Sequence, residues 1–84
     1  MDDATRREIL AALAHRQWSG WMEYLFSKCI AADDGSGNLI IPSDYVQALE
    51  RQMYTTYTQL SEAEKDLDRE EADKVLAALS LTGG

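Results

Sequence analysis

The chain has 84 residues, a formal net charge of −7 and an apolar share of 45%. That length allows one small domain, in which burial is marginal and every core position counts. Eight Lys and Arg against fifteen Asp and Glu argue against nonspecific nucleic-acid binding, which needs clustered cations to displace counterions, and disfavour anionic membrane surfaces.

The first helix is predicted to start at Asp2 or Asp3, either of which can cap, and to run to Ala31 or Ala32. Leu10, Ala14, Trp18, Trp21, Leu25 and Cys29 recur at steps of three and four and form its expected buried stripe, widened by Met22 and Phe26. Gly20 lies outside the stripe, as a site of close approach or a simple helix defect. "DDGSGN", residues 33–38, reads as a flexible loop. "LIIPS" is extended, because Ile41 precedes Pro42 and is biased away from the helical region. Ser43 is positioned to cap a second helix carrying Tyr45, Val46, Leu49 and Met53. After a turn at Thr58–Leu60, Ser61 and Glu64 form a capping box for a third helix. The chain closes on a frayed tail, residues 81–84. Three helices with short connections give a small all-α bundle, one domain over residues 1–84.

Asp68 breaks the pattern of the third helix. On a helical wheel Leu67, Ala72, Val75, Leu76, Ala78 and Leu79 make one apolar arc, with Asp68 in its middle. A carboxylate there needs a partner, since an unpaired buried charge is costly. His15, at the margin of the first helix's stripe, is the expected donor. A tryptophan indole or a backbone amide of the third helix is the alternative.

Little in the sequence speaks for catalysis. The one histidine and one cysteine lie too far apart in a single helix to share a metal. "DDGSGN" lacks the alternate ligands and terminal Glu of a calcium loop. There is no phosphate-binding glycine loop and no nucleophile elbow. No cofactor is implied. A single cysteine points to a reducing cytoplasm, and no apolar run approaches the roughly 20 residues of a membrane span. The "AHRQWSGWMEYLF" segment is either a tryptophan-anchored core or an aromatic pocket in which a planar ligand stacks.

"HRQW", with His15 and Trp18, and "YTQLSEAEKDLDR", from Tyr57 to Arg69, together resemble the RyR domain, the helical module repeated in ryanodine receptors. Its bacterial and phage forms carry His-x-x-Trp in the first helix. Further along they carry an aromatic, Leu-Ser/Pro-Glu and Glu-Lys-x-x-Asp-Arg. The match covers His15, Trp18, Tyr57, Leu60, Glu62, Glu64, Lys65, Asp68 and Arg69, in the first and last thirds of the chain. The middle departs from the family, with "DDGSGNLIIPSDYVQALERQM" in place of its tyrosine-glycine and charged loops. The chain is also similar to short phage and prophage proteins that share "WSGWM".

The resemblance implies a non-enzymatic binding module, phage or prophage encoded, acting in the cytoplasm of a bacterial host. Its expected ligand is a nucleotide-derived small-molecule signal. Trp18, Trp21 and Tyr57 would supply aromatic surface, Lys65 and Arg69 charge for phosphate, and His15 and Asp68 hydrogen bonds. The alternative is an acidic interaction protein that binds and inhibits a host defence protein. The expected state is a monomer or a weak self-associate.

Overall fold

The computed structural model describes residues 2–81, Leu81 by its backbone alone. Helix α1 spans Asp3–Lys28, strands β1 and β2 are Ile30–Ala31 and Leu39–Ile40, and α2 is Ser43–Met53. A 3-10 turn follows at Tyr57–Gln59, then α3 at Glu62–Leu81. The protein is all-α, as the helical periodicities require, with one minimal hairpin.

The helix starts follow local chemistry. Asp2 Oδ1 accepts the Thr5 N–H at 2.8 Å, so Asp2 rather than Asp3 caps α1. At α3 the capping box is reciprocal. The Glu64 N–H donates to Ser61 Oγ at 3.2 Å and the Ser61 N–H to Glu64 Oε1 at 3.3 Å, which satisfies two amides that the helix itself leaves open. The expected Ser43 cap is corrected: Pro42 occupies the N-cap of α2, without a side-chain cap. Ser43 is already helical, and proline fixes the extended entry that a serine side chain would otherwise have to stabilise.

Helix α1 also ends earlier than expected. Its last residue is Lys28, and Ile30 and Ala31 pair with Ile40 and Leu39 as an antiparallel hairpin. Residues 33–38 form the hairpin's connection. Gly35 and Gly37 take φ values of 76° and 81°, a region that side chains with a Cβ rarely adopt. Asp34 Oδ1 accepts the Ser36 N–H at 3.0 Å and shapes the turn. Of the expected frayed tail, residues 81–84, Leu81 is the last residue of α3, and the rest lies outside the described residues.

The chain forms two compact units. One joins the chain up to Gly20 with the chain from Ser61 onward; the other is Trp21–Leu60. In the first, α1 and α3 run antiparallel, with Gln17 bonded to Glu71 and Leu13 beside Ala77 and Ala78. Only Leu13 and Ala78 are buried among the described residues. Ile9, Leu10, Gln17, Glu64, Lys65, Glu71 and Val75 are half-buried around them.

Both predicted apolar faces therefore need correction. In α1 Ala14, Trp18, Trp21 and Phe26 are exposed, and the packed residues near the start are Ile9, Leu10, Leu13 and Gln17. Beyond Gly20 the less exposed residues are Met22, Leu25 and Cys29. A single stripe drawn along 26 residues averages two segments that cover different side chains. In α3 the exposed residues include Leu67, Asp68, Ala72 and Leu76. Asp68 is exposed although its helical neighbours Glu64, Lys65, Glu71 and Val75 are half-buried. The carboxylate that is held at the contact belongs to Glu71, whose side chain is 23% exposed.

Candidate functional site

The residues singled out by sequence fall into both units. His15, Trp18, Lys65, Asp68 and Arg69 belong to the first, Trp21 and Tyr57 to the second.

The pair best defined in space is His15 and Trp18. One helical turn separates them, which places them on neighbouring sites of one surface. Their ring centroids are 6.1 Å apart with an interplanar angle of 23°. Both are exposed, Trp18 by 57%. The expected bond from His15 to Asp68 is not formed: both side chains face solvent, and Trp18 is the ring neighbour of His15.

Lys65 and Arg69 are held by carboxylates of their own helix. Arg69 Nη1 lies 2.9 Å from Glu62 Oε2 and 2.8 Å from Asp66 Oδ1. Lys65 Nζ lies 3.6 Å from Glu62 Oε1, its stem largely covered. The hydrogen bond from Arg69, followed by the charges of Arg69 and Lys65, holds the Glu62 carboxyl below its ordinary range. With the cations one or two turns from their acids, such pairs are weak at an exposed surface. An incoming phosphate would have to displace these carboxylates.

The sequence reading missed the polar residues at the helix contact. Gln17 Nε2 donates to the Glu71 carbonyl at 3.2 Å. Glu71 Oε1 takes the Lys74 ammonium at 2.9 Å, while Oε2 is buried without a hydrogen bond among the described residues. Next to this contact, Leu13, Arg16, Lys74, Ala77 and Ala78 line an open groove of about 310 Å³. None of the expected ligand-binding residues lines it. The alanines at 77 and 78 were the available signal, since small residues leave room between helices.

In the second unit Lys28 Nζ sits 5.1 Å above the Tyr24 ring, a cation–π contact. Trp21 is 58% exposed, and Tyr57 opens the 3-10 turn, also exposed. No group of His, Cys, Asp and Glu among the described residues is arranged to hold a metal. No helix among them is long and apolar enough to cross a membrane.

Comparisons with protein-family models, with curated proteins and with solved structures find no match to this chain.

Proposed function

We propose that the chain is a non-enzymatic interaction module whose acidic α3 docks a basic protein surface. The observation that carries this reading is the internal pairing of the α3 cations. The helix holds seven carboxylates and three cations, and Lys65, Arg69 and Lys74 each lie against an acid of the same helix. Asp68, Glu70 and Asp73 remain exposed, and Leu67 and Leu76 stand exposed among them. An exposed surface dominated by one sign of charge suits a partner of opposite charge, which electrostatics steers. The RyR-like resemblance, a phage origin, a cytoplasmic setting and a host defence protein as target belong to the same proposal.

The test compares wild type with an Asp68→Lys, Glu70→Lys, Asp73→Lys variant as baits, with bound proteins quantified at low and high salt. Basic proteins retained by wild type, released by salt and lost in the variant support the reading. Equal retention by the two baits removes α3 as the docking surface. A second reading, recognition of a nucleotide-type ligand, is favoured by the exposed His15–Trp18 pair, on which a planar ring can stack. Native mass spectrometry of freshly purified protein that shows a retained small molecule, absent from a Trp18→Ala variant, would favour it.

A further inference from the structure

The unit from Trp21 to Leu60 contains no buried residue. Met22, Leu25, Tyr45, Val46, Leu49 and Leu60 are half-buried, but ten more of its large hydrophobic side chains, from Trp21 and Phe26 to Ile40 and Tyr54, are each between 41 and 82% exposed. With large side chains offering 150–250 Å² apiece, the uncovered apolar surface is on the order of 1,000 Å². A standard interface needs about 800 Å² from each partner.

The hairpin gives this surface a direction. Ile30 faces Ile40 and Ala31 faces Leu39, and the Ala32 N–H donates to the Asn38 carbonyl at 2.9 Å. In an antiparallel ladder the bonded and non-bonded pairs alternate. The backbone groups of Ala31 and Leu39 therefore point away from the partner strand, and the same alternation carried one residue past β2 turns those of Ile41 outward too. On the β1 side the next outward amide, that of Cys29, is already spent on the Phe26 carbonyl at 3.2 Å. On the β2 side Leu39 and Ile41 offer their N–H and C=O groups outward on an exposed, uncharged "LII" edge. A two-stranded hairpin is marginal in water by itself, and an open apolar edge is a template for another strand.

We propose that β2 pairs antiparallel with β2 of a second copy of the chain, giving a four-stranded sheet centred on Ile40. A twofold axis there sets Leu39 opposite the partner's Ile41 as a hydrogen-bonded pair. It sets Ile40 opposite the partner's Ile40 as a non-hydrogen-bonded pair. A second copy fits better than a foreign strand, because the edge carries no charge to choose another partner and its aliphatic row is complementary to itself. The repulsion between two copies of net charge −7 is screened by salt. Salt should therefore strengthen self-association, the opposite of its effect on a basic partner, so the two proposals fail independently.

Sedimentation equilibrium of the full chain should give twice the 9.4 kDa of one copy, with tighter association at higher salt. Leu39→Lys with Ile41→Lys should weaken association by about tenfold or more and leave the helical circular dichroism intact. A cross-link test needs no destabilising change. In a Cys29→Ser background, Ile40→Cys should oxidise rapidly to a disulfide-linked dimer, since facing residues of a non-hydrogen-bonded pair lie about 4.5 Å apart at Cα, within disulfide range. Ser36→Cys at the turn should not. A monomer at every concentration, or a dimer in which Ile40→Cys cross-links no faster than Ser36→Cys, overturns the proposal.

Discussion

The Gln17 side-chain amide donates a 3.2 Å hydrogen bond to the Glu71 carbonyl and so ties α1 to α3. That carbonyl lies inside a helix, where the i→i−4 ladder already occupies it; Gln17 uses its second lone pair. Losing Gln17 therefore strands no acceptor. Gln17→Leu should hold stability within about 0.5 kcal/mol of wild type, while Gln17→Ala, which also opens space at the contact, should cost about 1 kcal/mol. Urea denaturation of both variants checks the order.

Acid should loosen the same contact. The Lys74 hydrogen bond, with smaller help from Gln17 and from the Lys74 charge, holds the Glu71 carboxyl below the ordinary 4.5, and burial opposes them. A carboxylate depressed in the folded state contributes stability that is fully present above the unfolded value. That contribution is lost as pH falls through the lower folded value. Thermal stability should thus decline below about pH 4.5, and Lys74→Gln should flatten that decline. A decline equally steep in Lys74→Gln would show that the pair is not its source.

The caps of α1 and α3 were legible in the sequence because they are local. Asp2, and Ser61 with Glu64, cap within three residues of themselves, and Pro42 keeps the preceding segment extended. Packed faces were not legible for the opposite reason. Which side of α1 is covered depends on α3, and α3 meets it through Gln17, Glu71 and two alanines rather than through the largest apolar side chains. A wheel weighted by hydrophobicity turns both helices towards Trp18 and Leu67, which the fold leaves in solvent. For the site, the sequence placed Trp18 in the buried stripe and His15 at its margin, whereas both are exposed and their rings stack on each other.

The capping box should be the largest local contribution to α3. Ser61→Ala removes the acceptor for the Glu64 amide, and Glu64→Ala removes the acceptor for the Ser61 amide. Each should cost about 1 kcal/mol. Because Ser61 Oγ also donates to Glu64 Oε1 at 2.9 Å, the double variant should cost less than the sum of the singles. Additive losses in a double-mutant cycle would show the two bonds to be independent.

Gly20 should be replaceable. A Cβ built there meets nothing within 4 Å, and the residue is helical and exposed. Gly20→Ala lowers the entropy of the unfolded chain without a steric penalty and should stabilise the protein by roughly 0.5–1 kcal/mol. A lower melting temperature in this variant would reveal a close approach in the assembled state.

Asp68 supplies the sharpest test of whether a carboxylate in the apolar arc of α3 has a partner. By sequence it stands in the middle of an apolar arc and needs a partner; in the fold it is exposed and bonded neither to His15 nor to a tryptophan. Asp68→Asn and Asp68→Leu should both stay within about 0.5 kcal/mol of wild type, as expected for a surface position without a buried partner. Glu71 should behave differently. Glu71→Leu takes the counterion from Lys74 but removes an oxygen buried without a hydrogen bond, so its melting temperature should match or exceed that of wild type. If Asp68→Leu instead destabilised the protein by several kcal/mol, the Asp68 carboxylate would be held by a partner that stabilises the fold.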